Sequence, residues 1–121
     1  MKIKVCGIRS QAMLEACEKS GVDYVGLNFV DSSRRKISGQ TFWKKVQLSS
    51  GKRVGVFWNN SEAEIRQKIV DYDLDIVQLY DADLVKRFQG KVPVWLALRV
   101  GSDDLETLKN IKPNLVLLDG A

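Results

Sequence analysis

Histidine is absent from this 121-residue sequence, and cysteine occurs only twice, as Cys6 and Cys17. A structural zinc site needs about four ligands, usually Cys and His at close spacing. That spacing does not exist here, so no metal site is expected. A structural disulfide is not expected in a reducing compartment, and both cysteines read as free thiols. Long apolar runs are missing too. No stretch approaches the ~20 residues that span a bilayer, so no membrane partner is expected. A signal peptide would show a basic start and then about 7–15 apolar residues. Met1-Lys2-Ile3-Lys4-Val5-Cys6 instead enters a strand-like alternation directly, and a cytoplasmic location is expected. A broad basic face with interleaved aromatics, the footprint of nucleic-acid binding, is also lacking. The net charge of +4 is spread along the chain, and its densest cluster is Arg34-Arg35-Lys36. Three residues suit an anionic small molecule, or a solvated loop, better than a nucleic acid.

What is present is a soluble globular balance, with 45% hydrophobic and 28% charged residues, over a length suited to one ordinary domain. Residues 1–121 are expected to act as that single unit. Short apolar runs at 3–8, 24–30, 53–58, 76–80, 94–100 and 115–118 alternate with helix-like segments. Several of the runs are continuous, as strands buried on both faces of a parallel sheet require. Between them, residues 10–20 predict a helix with Met13, Ala16 and Cys17 on one face and Gly21 at its left-handed end. A second helix is expected at roughly 40–48, with Phe42, Trp43 and Val46. A third opens on a capping box, Ser61 with Glu64, and carries Ile65, Ile69 and Tyr72. A fourth follows a cap at Asp81, turns Leu84, Val85 and Phe88 inward and ends at Gly90. A fifth carries Leu105, Leu108 and Ile111, with Asp103 and Glu106 near its start and Pro113 beyond its end.

The strand ends recur about every 19–29 residues, a βα rhythm shared by barrels and doubly wound sheets. A doubly wound nucleotide-binding sheet would usually carry a Gly-rich turn after its first strand. Here that turn, Cys6-Gly7-Ile8-Arg9-Ser10, has one glycine. A barrel gathers its reactive groups at the C-terminal ends of its strands. Cys6, Asn28, Asn59, Gln78, Tyr80, Arg99 and Asp119 all fall there. The expected fold class is therefore α/β, a (β/α)8 TIM barrel represented by about six βα units. Taken alone, Cys6 would pass for a core thiol, Asp119 for a helix cap and the basic run for a solvated loop. Trp43, Trp58 and Trp95 read as core or rim packing.

Several segments together resemble one family. Lys4-Val5-Cys6-Gly7-Ile8 is similar to the first strand of phosphoribosylanthranilate isomerases, and Tyr24-Val25-Gly26-Leu27-Asn28-Phe29 to their second. Ser33-Arg34-Arg35-Lys36-Ile37-Ser38 resembles the loop that follows. Arg53-Val54-Gly55-Val56-Phe57-Trp58-Asn59, Val77-Gln78-Leu79 and Leu117-Leu118-Asp119 are similar to the third, fourth and sixth strands. The resemblance runs through the whole chain in order. It implies an Amadori rearrangement of an aminoaldose phosphate to an aminoketose in tryptophan biosynthesis, without metal or organic cofactor. It implies Asp119 as the general acid that opens the ribose ring and Cys6 as the general base at C2′. It implies Arg35 as the partner of the anthranilate carboxylate and Gln78 as a substrate contact. A different lyase or synthase of the phosphate-binding barrels, and a non-catalytic interaction module, are the alternatives.

Two departures from the family pattern stand out. The family continues Gln-Leu with His and Gly, whereas this sequence has Tyr80 and Asp81, so the Tyr80 hydroxyl is expected to take over that contact. A complete barrel also needs at least ~200 residues. The Gly-rich loop after the sixth strand and strands seven and eight, around which such barrels commonly hold phosphate, are not matched in the sequence. Six strands alone would leave unpaired edges. The isolated chain is accordingly expected to be poorly stable, to aggregate, or to close by self-association or by pairing with a complementing chain. Denaturant unfolding of the dilute chain checks this, and a cooperative monomeric transition of ordinary midpoint would contradict it.

Overall fold

β-Branched and aliphatic residues fill six short segments that pair side by side, all parallel, in sequence order. They are β1 (Lys4–Cys6), β2 (Tyr24–Asn28), β3 (Lys52–Val56), β4 (Ile76–Leu79), β5 (Val94–Arg99) and β6 (Leu115–Asp119). The computed structural model describes residues 1–37, 43, 48–99, 109 and 111–119. Between the strands lie α1 (Gln11–Ser20), α2 (Glu62–Tyr72) and α3 (Ala82–Phe88). The strands form a curled half-barrel. Their order runs from β1 to β6 without the reversal that defines a doubly wound sheet, which settles the choice between the two architectures. The second and fifth expected helices lie outside the described residues, apart from Leu48, Lys109 and the buried Trp43 and Ile111.

Strand side chains alternate between two environments. One parity, Val25, Leu27, Phe29, Val77, Leu79, Val94, Leu96 and Leu98, packs with the helices in the larger core. The other parity turns to the concave side, where Val54, Ile76 and Trp95 form a second cluster with Tyr24 and Leu117 packed against it. Burial on both faces explains why β4 is buried at every position. In the larger core Phe57 stacks on Phe29 at 5.1 Å between centroids, worth about 0.5–1.5 kcal/mol beyond the area buried.

The helix ends follow local chemistry. Ser10 sits in an extended conformation and accepts from the Met13 amide, and Gly21 closes α1 at φ 66. Ser61 caps α2 by accepting from the Glu64 amide at 3.1 Å. The Glu64 carboxylate is bonded to Asn60, whose side-chain amide donates to it at 3.1 Å. Asp81 caps α3. The inward face of α1 differs from the sequence expectation. Leu14 and Cys17 are buried, whereas Met13 is 41% exposed and Ala16 is exposed. Leu14 and Cys17, three residues apart, share a face, and turning Leu14 inward removes more apolar area from water than Ala16 would. Among the described residues, no helix is long and apolar enough to cross a membrane.

Gly55 in β3 marks where a helix-side element comes closest to the sheet. A Cβ there would lie 2.5 Å from Leu74 Cδ1 and 2.8 Å from Phe57 Cε2. Gly55→Ala should lower stability by about 1–3 kcal/mol through overpacking, read as a lower urea midpoint at unchanged slope. An unchanged midpoint would mean that Leu74 and Phe57 yield without cost.

Candidate active site

β1 ends at Cys6, where the chain leaves the sheet through Gly7 at φ 82. The amides of Gly7 and Ile8 both donate to the Gly26 carbonyl, at 3.0 and 3.1 Å, and fix this exit against β2. Cys6 is in register with Gly26. The fit is close: a Cβ at Gly26 would lie 2.9 Å from the Cys6 sulfur. A glycine on β2 therefore keeps the space that the thiol occupies. On the opposite flank the Arg35 side chain lies across Gly7, with its Cδ 2.6 Å from where a Cβ would stand. Its Nη1 donates to the Cys6 carbonyl at a long 3.4 Å.

The loop after β2 is built to hold Arg35 there. Asn28 Oδ1 accepts from the Val30 amide at 2.8 Å, and Ser33 Oγ accepts from the Arg35 amide at 3.1 Å. Lys36 pairs with Asp31 and bridges to Asn28. Arg9 Nη1 donates to the Arg34 carbonyl at 2.6 Å. Buried Ile37 anchors the far end through its amide, which donates to the Asn28 carbonyl at 2.8 Å.

Below Cys6, on the same face of β1, Lys4 reaches into the concave interior. Its Nζ donates to Gln78 Oε1 at 2.5 Å and lies 5.6 Å from the centre of the Trp95 ring. Burial lowers the pKa of Lys4 from the ordinary 10.5, and the negative charge available at Cys6 acts the other way. Gln78 is buried at the middle of the sheet, and its amide oxygen is committed to Lys4. Cys17, by contrast, sits in the helix-side core, where burial pushes its thiol up.

Tyr80 follows β4 and belongs to a separate group. Its ring lies 5.1 Å from Trp58, and the Arg99 guanidinium stacks 3.2 Å from the centre of the Trp58 ring. These three residues line a cavity of about 370 Å³ at the C-terminal ends of β3, β4 and β5, with Asn59 and Leu84 on its wall. Cys6 is not part of that wall. Asp119 ends β6 in register with Arg99, on the strand parity of Leu117, and its side chain lies outside the described residues. Among the described residues no group of three His, Cys, Asp or Glu side chains comes together to hold a metal.

The fold thus brings Arg35 to Cys6 directly and Gln78 to Lys4, which shares the strand face of Cys6, while Tyr80 stands with Trp58 and Arg99. Sequence reasoning passed over Lys4. A lysine at the start of a strand looks like a solvated charge, and its partner Gln78 is 74 positions away. The period-two parity that it shares with Cys6 was the available signal.

Comparison with known proteins follows the same order of elements. The sequence profile of the family described as N-(5′-phosphoribosyl)anthranilate (PRA) isomerase matches residues 3–121. A protein of Leptospira borgpetersenii named N-(5′-phosphoribosyl)anthranilate isomerase is 39% identical over 130 residues, covering 98% of this chain and 60% of its own. The chain therefore spans about three fifths of the length of that relative. The crystal structure of phosphoribosyl anthranilate isomerase from Thermus thermophilus superposes with a TM-score of 0.85 at 22% identity, over 99% of this chain and 62% of that one. A phosphoribosyl anthranilate isomerase in complex with reduced 1-(o-carboxyphenylamino)-1-deoxyribulose 5-phosphate superposes with a TM-score of 0.82 at 25% identity, over 100% of this chain and 66% of that one.

The half-buried lysine has a measurable signature. The folded state holds the Lys4 proton less tightly than the unfolded chain does, so the unfolded chain binds more protons in the window below pH 10.5. Stability contributed by this group therefore rises with pH through that window, and at lower pH the burial penalty is constant. Lys4→Met should flatten that rise in urea midpoints measured across alkaline pH. A variant curve parallel to the parent would show that Lys4 carries no such linkage.

Proposed function

The chain belongs to the N-(5′-phosphoribosyl)anthranilate isomerase family, and from that membership we propose that its Cys6 site isomerises N-(5-phosphoribosyl)anthranilate to the corresponding 1-deoxyribulose 5-phosphate aminoketose in tryptophan biosynthesis. The observation that carries the proposal is the meeting of Arg35 with Cys6 at the end of β1. One residue offers a planar fork for a carboxylate, and its neighbour offers a group for carbon deprotonation.

In the proposed sequence, the Asp119 carboxyl gives its proton to the ribose ring oxygen. The C1′–O bond breaks as the anilino nitrogen lone pair forms the C=N bond of a protonated Schiff base. The Cys6 thiolate then takes the proton from C2′. The electrons of that C–H bond form C1′=C2′, and the C=N electrons return to nitrogen. The resulting enol settles as the ketone. C1′ is reduced and C2′ oxidised within one molecule, so neither an external oxidant nor a cofactor takes part. Arg35 holds the anthranilate carboxylate, the Gln78 amide NH2 meets the substrate, and Tyr80 offers a hydroxyl where the family pattern has His. A carboxyl acid and a thiolate base serve here only in environments that favour the protonated acid and the ionised thiol.

A cytoplasmic site of action goes with this role. The partners we propose are the phosphorylated substrate and a second chain pairing along β1 or β6, which each have one strand neighbour among the described residues.

Complementation of a tryptophan auxotroph that lacks this isomerase tests the proposal. The chain should be supplied alone and joined to the segment of the Leptospira relative that it does not match. Growth with the joined form is expected. Cys6→Ala and Asp119→Asn should each abolish that growth, since loss of a general acid or base costs about 10²–10⁴ in rate. Arg35→Lys should raise KM for the carboxylate substrate with a smaller effect on kcat. Growth that survives Cys6→Ala would sink the assignment.

A further inference from the structure

A thiolate at Cys6 needs a compensating positive charge, and the described residues offer two candidates. Arg35 is exposed, and the proposed substrate brings a carboxylate that would neutralise it. Its attraction for the sulfur is therefore weakest when the chemistry occurs. Lys4 faces no such competition. It lies two positions before Cys6 on the same strand face, and its ammonium is held at Gln78 Oε1 and beside the Trp95 ring. The Trp95 ring beside it is itself packed with Val54 and Ile76 in the concave apolar cluster. A charge beside such a cluster acts through a lower effective dielectric than one in solvent. The neighbouring side of Cys6 is Gly26, which brings no charge. Tyr24, in edge contact with Trp95, and exposed Lys52 follow Lys4 in register on β2 and β3, so Lys52 is a further cation on this face, at the solvent-exposed start of β3.

We propose that Lys4 is a positioning residue for the base: anchored by Gln78 beneath Cys6, its ammonium is the counter-charge that holds Cys6 as the thiolate. This rests on the isomerase reading of Cys6 but assigns a role to a residue outside the acid, the base and the carboxylate clamp. The attraction is mutual, because a charge that sustains the ammonium is sustained by it to the same extent. The negative charge at Cys6 opposes, without cancelling, the burial that works against the Lys4 proton. Gln78 completes the arrangement by supplying an uncharged acceptor. A carboxylate at that position would neutralise Lys4 instead.

The test reads the thiolate without substrate. Alkylation of Cys6 by iodoacetamide is followed by peptide mass spectrometry across about pH 6–10 on the full chain, with folding monitored by circular dichroism. Lys4→Met should displace the alkylation profile to higher pH and slow the reaction at neutral pH by about tenfold, as expected when a neighbouring cation is lost. Lys4→Arg keeps the charge and should restore the profile. Gln78→Leu leaves β1 intact and should shift the profile in the same direction by less. A folded Lys4→Met chain with the parental profile overturns the proposal. If that variant does not fold, a parental profile in Gln78→Leu overturns it. Loss of complementation with an intact Lys4-dependent profile would count against the isomerase role alone.

Discussion

Parallel strands buried on two faces impose a strict division on their side chains, and the candidate site follows from it. Along each strand, alternate residues pack under helices or fill the concave interior. Val25, Leu27, Val77, Leu79, Leu96 and Leu98 take the first place. Lys4, Gln78 and Trp95 meet one another in the second, and Val54 and Ile76 join Trp95 there. Register then sets depth, so that Cys6 meets Gly26 while Val56 meets both Asn28 and Gln78. A slip of one residue in β1 would turn Cys6 toward the helices and replace Lys4 with Val5.

The interior is consequently layered. On β1, Lys4 opens the strand and reaches Gln78 and Trp95, Cys6 closes it, and Arg35 covers its exit. Polarity increases toward the strand ends. The adjoining cavity beside Trp58, Tyr80 and Arg99 lies farther along the same rim, at the ends of β3, β4 and β5.

Much of this was legible in the amino-acid sequence because local rules govern it. The six apolar runs became six strands within a few residues, and Ser10, Gly21, Ser61 and Asp81 occupy the cap positions that their chemistry favours. Long-range partners were not legible. Lys4 looked like a surface charge because nothing near it in sequence shows Gln78 or Trp95. The face of α1 was misjudged for a related reason. Periodicity names several apolar positions, but the sheet decides that Leu14 rather than Met13 or Ala16 points inward. Arg35 was legible only through a family pattern, since its approach to Cys6 depends on the whole 30–37 loop.

The two glycines that flank Cys6 constrain how such a site can diversify. Gly7 has its missing Cβ space filled by Arg35, and Gly26 has its own filled by the thiol. Any side chain gained at either place must first displace the Arg35 side chain or the Cys6 sulfur, so the nearest positions are closed to gradual adjustment. A larger residue at position 7 would need both the loss of the arginine and a backbone able to hold or abandon φ 82, so a change at 35 should precede any change at 7.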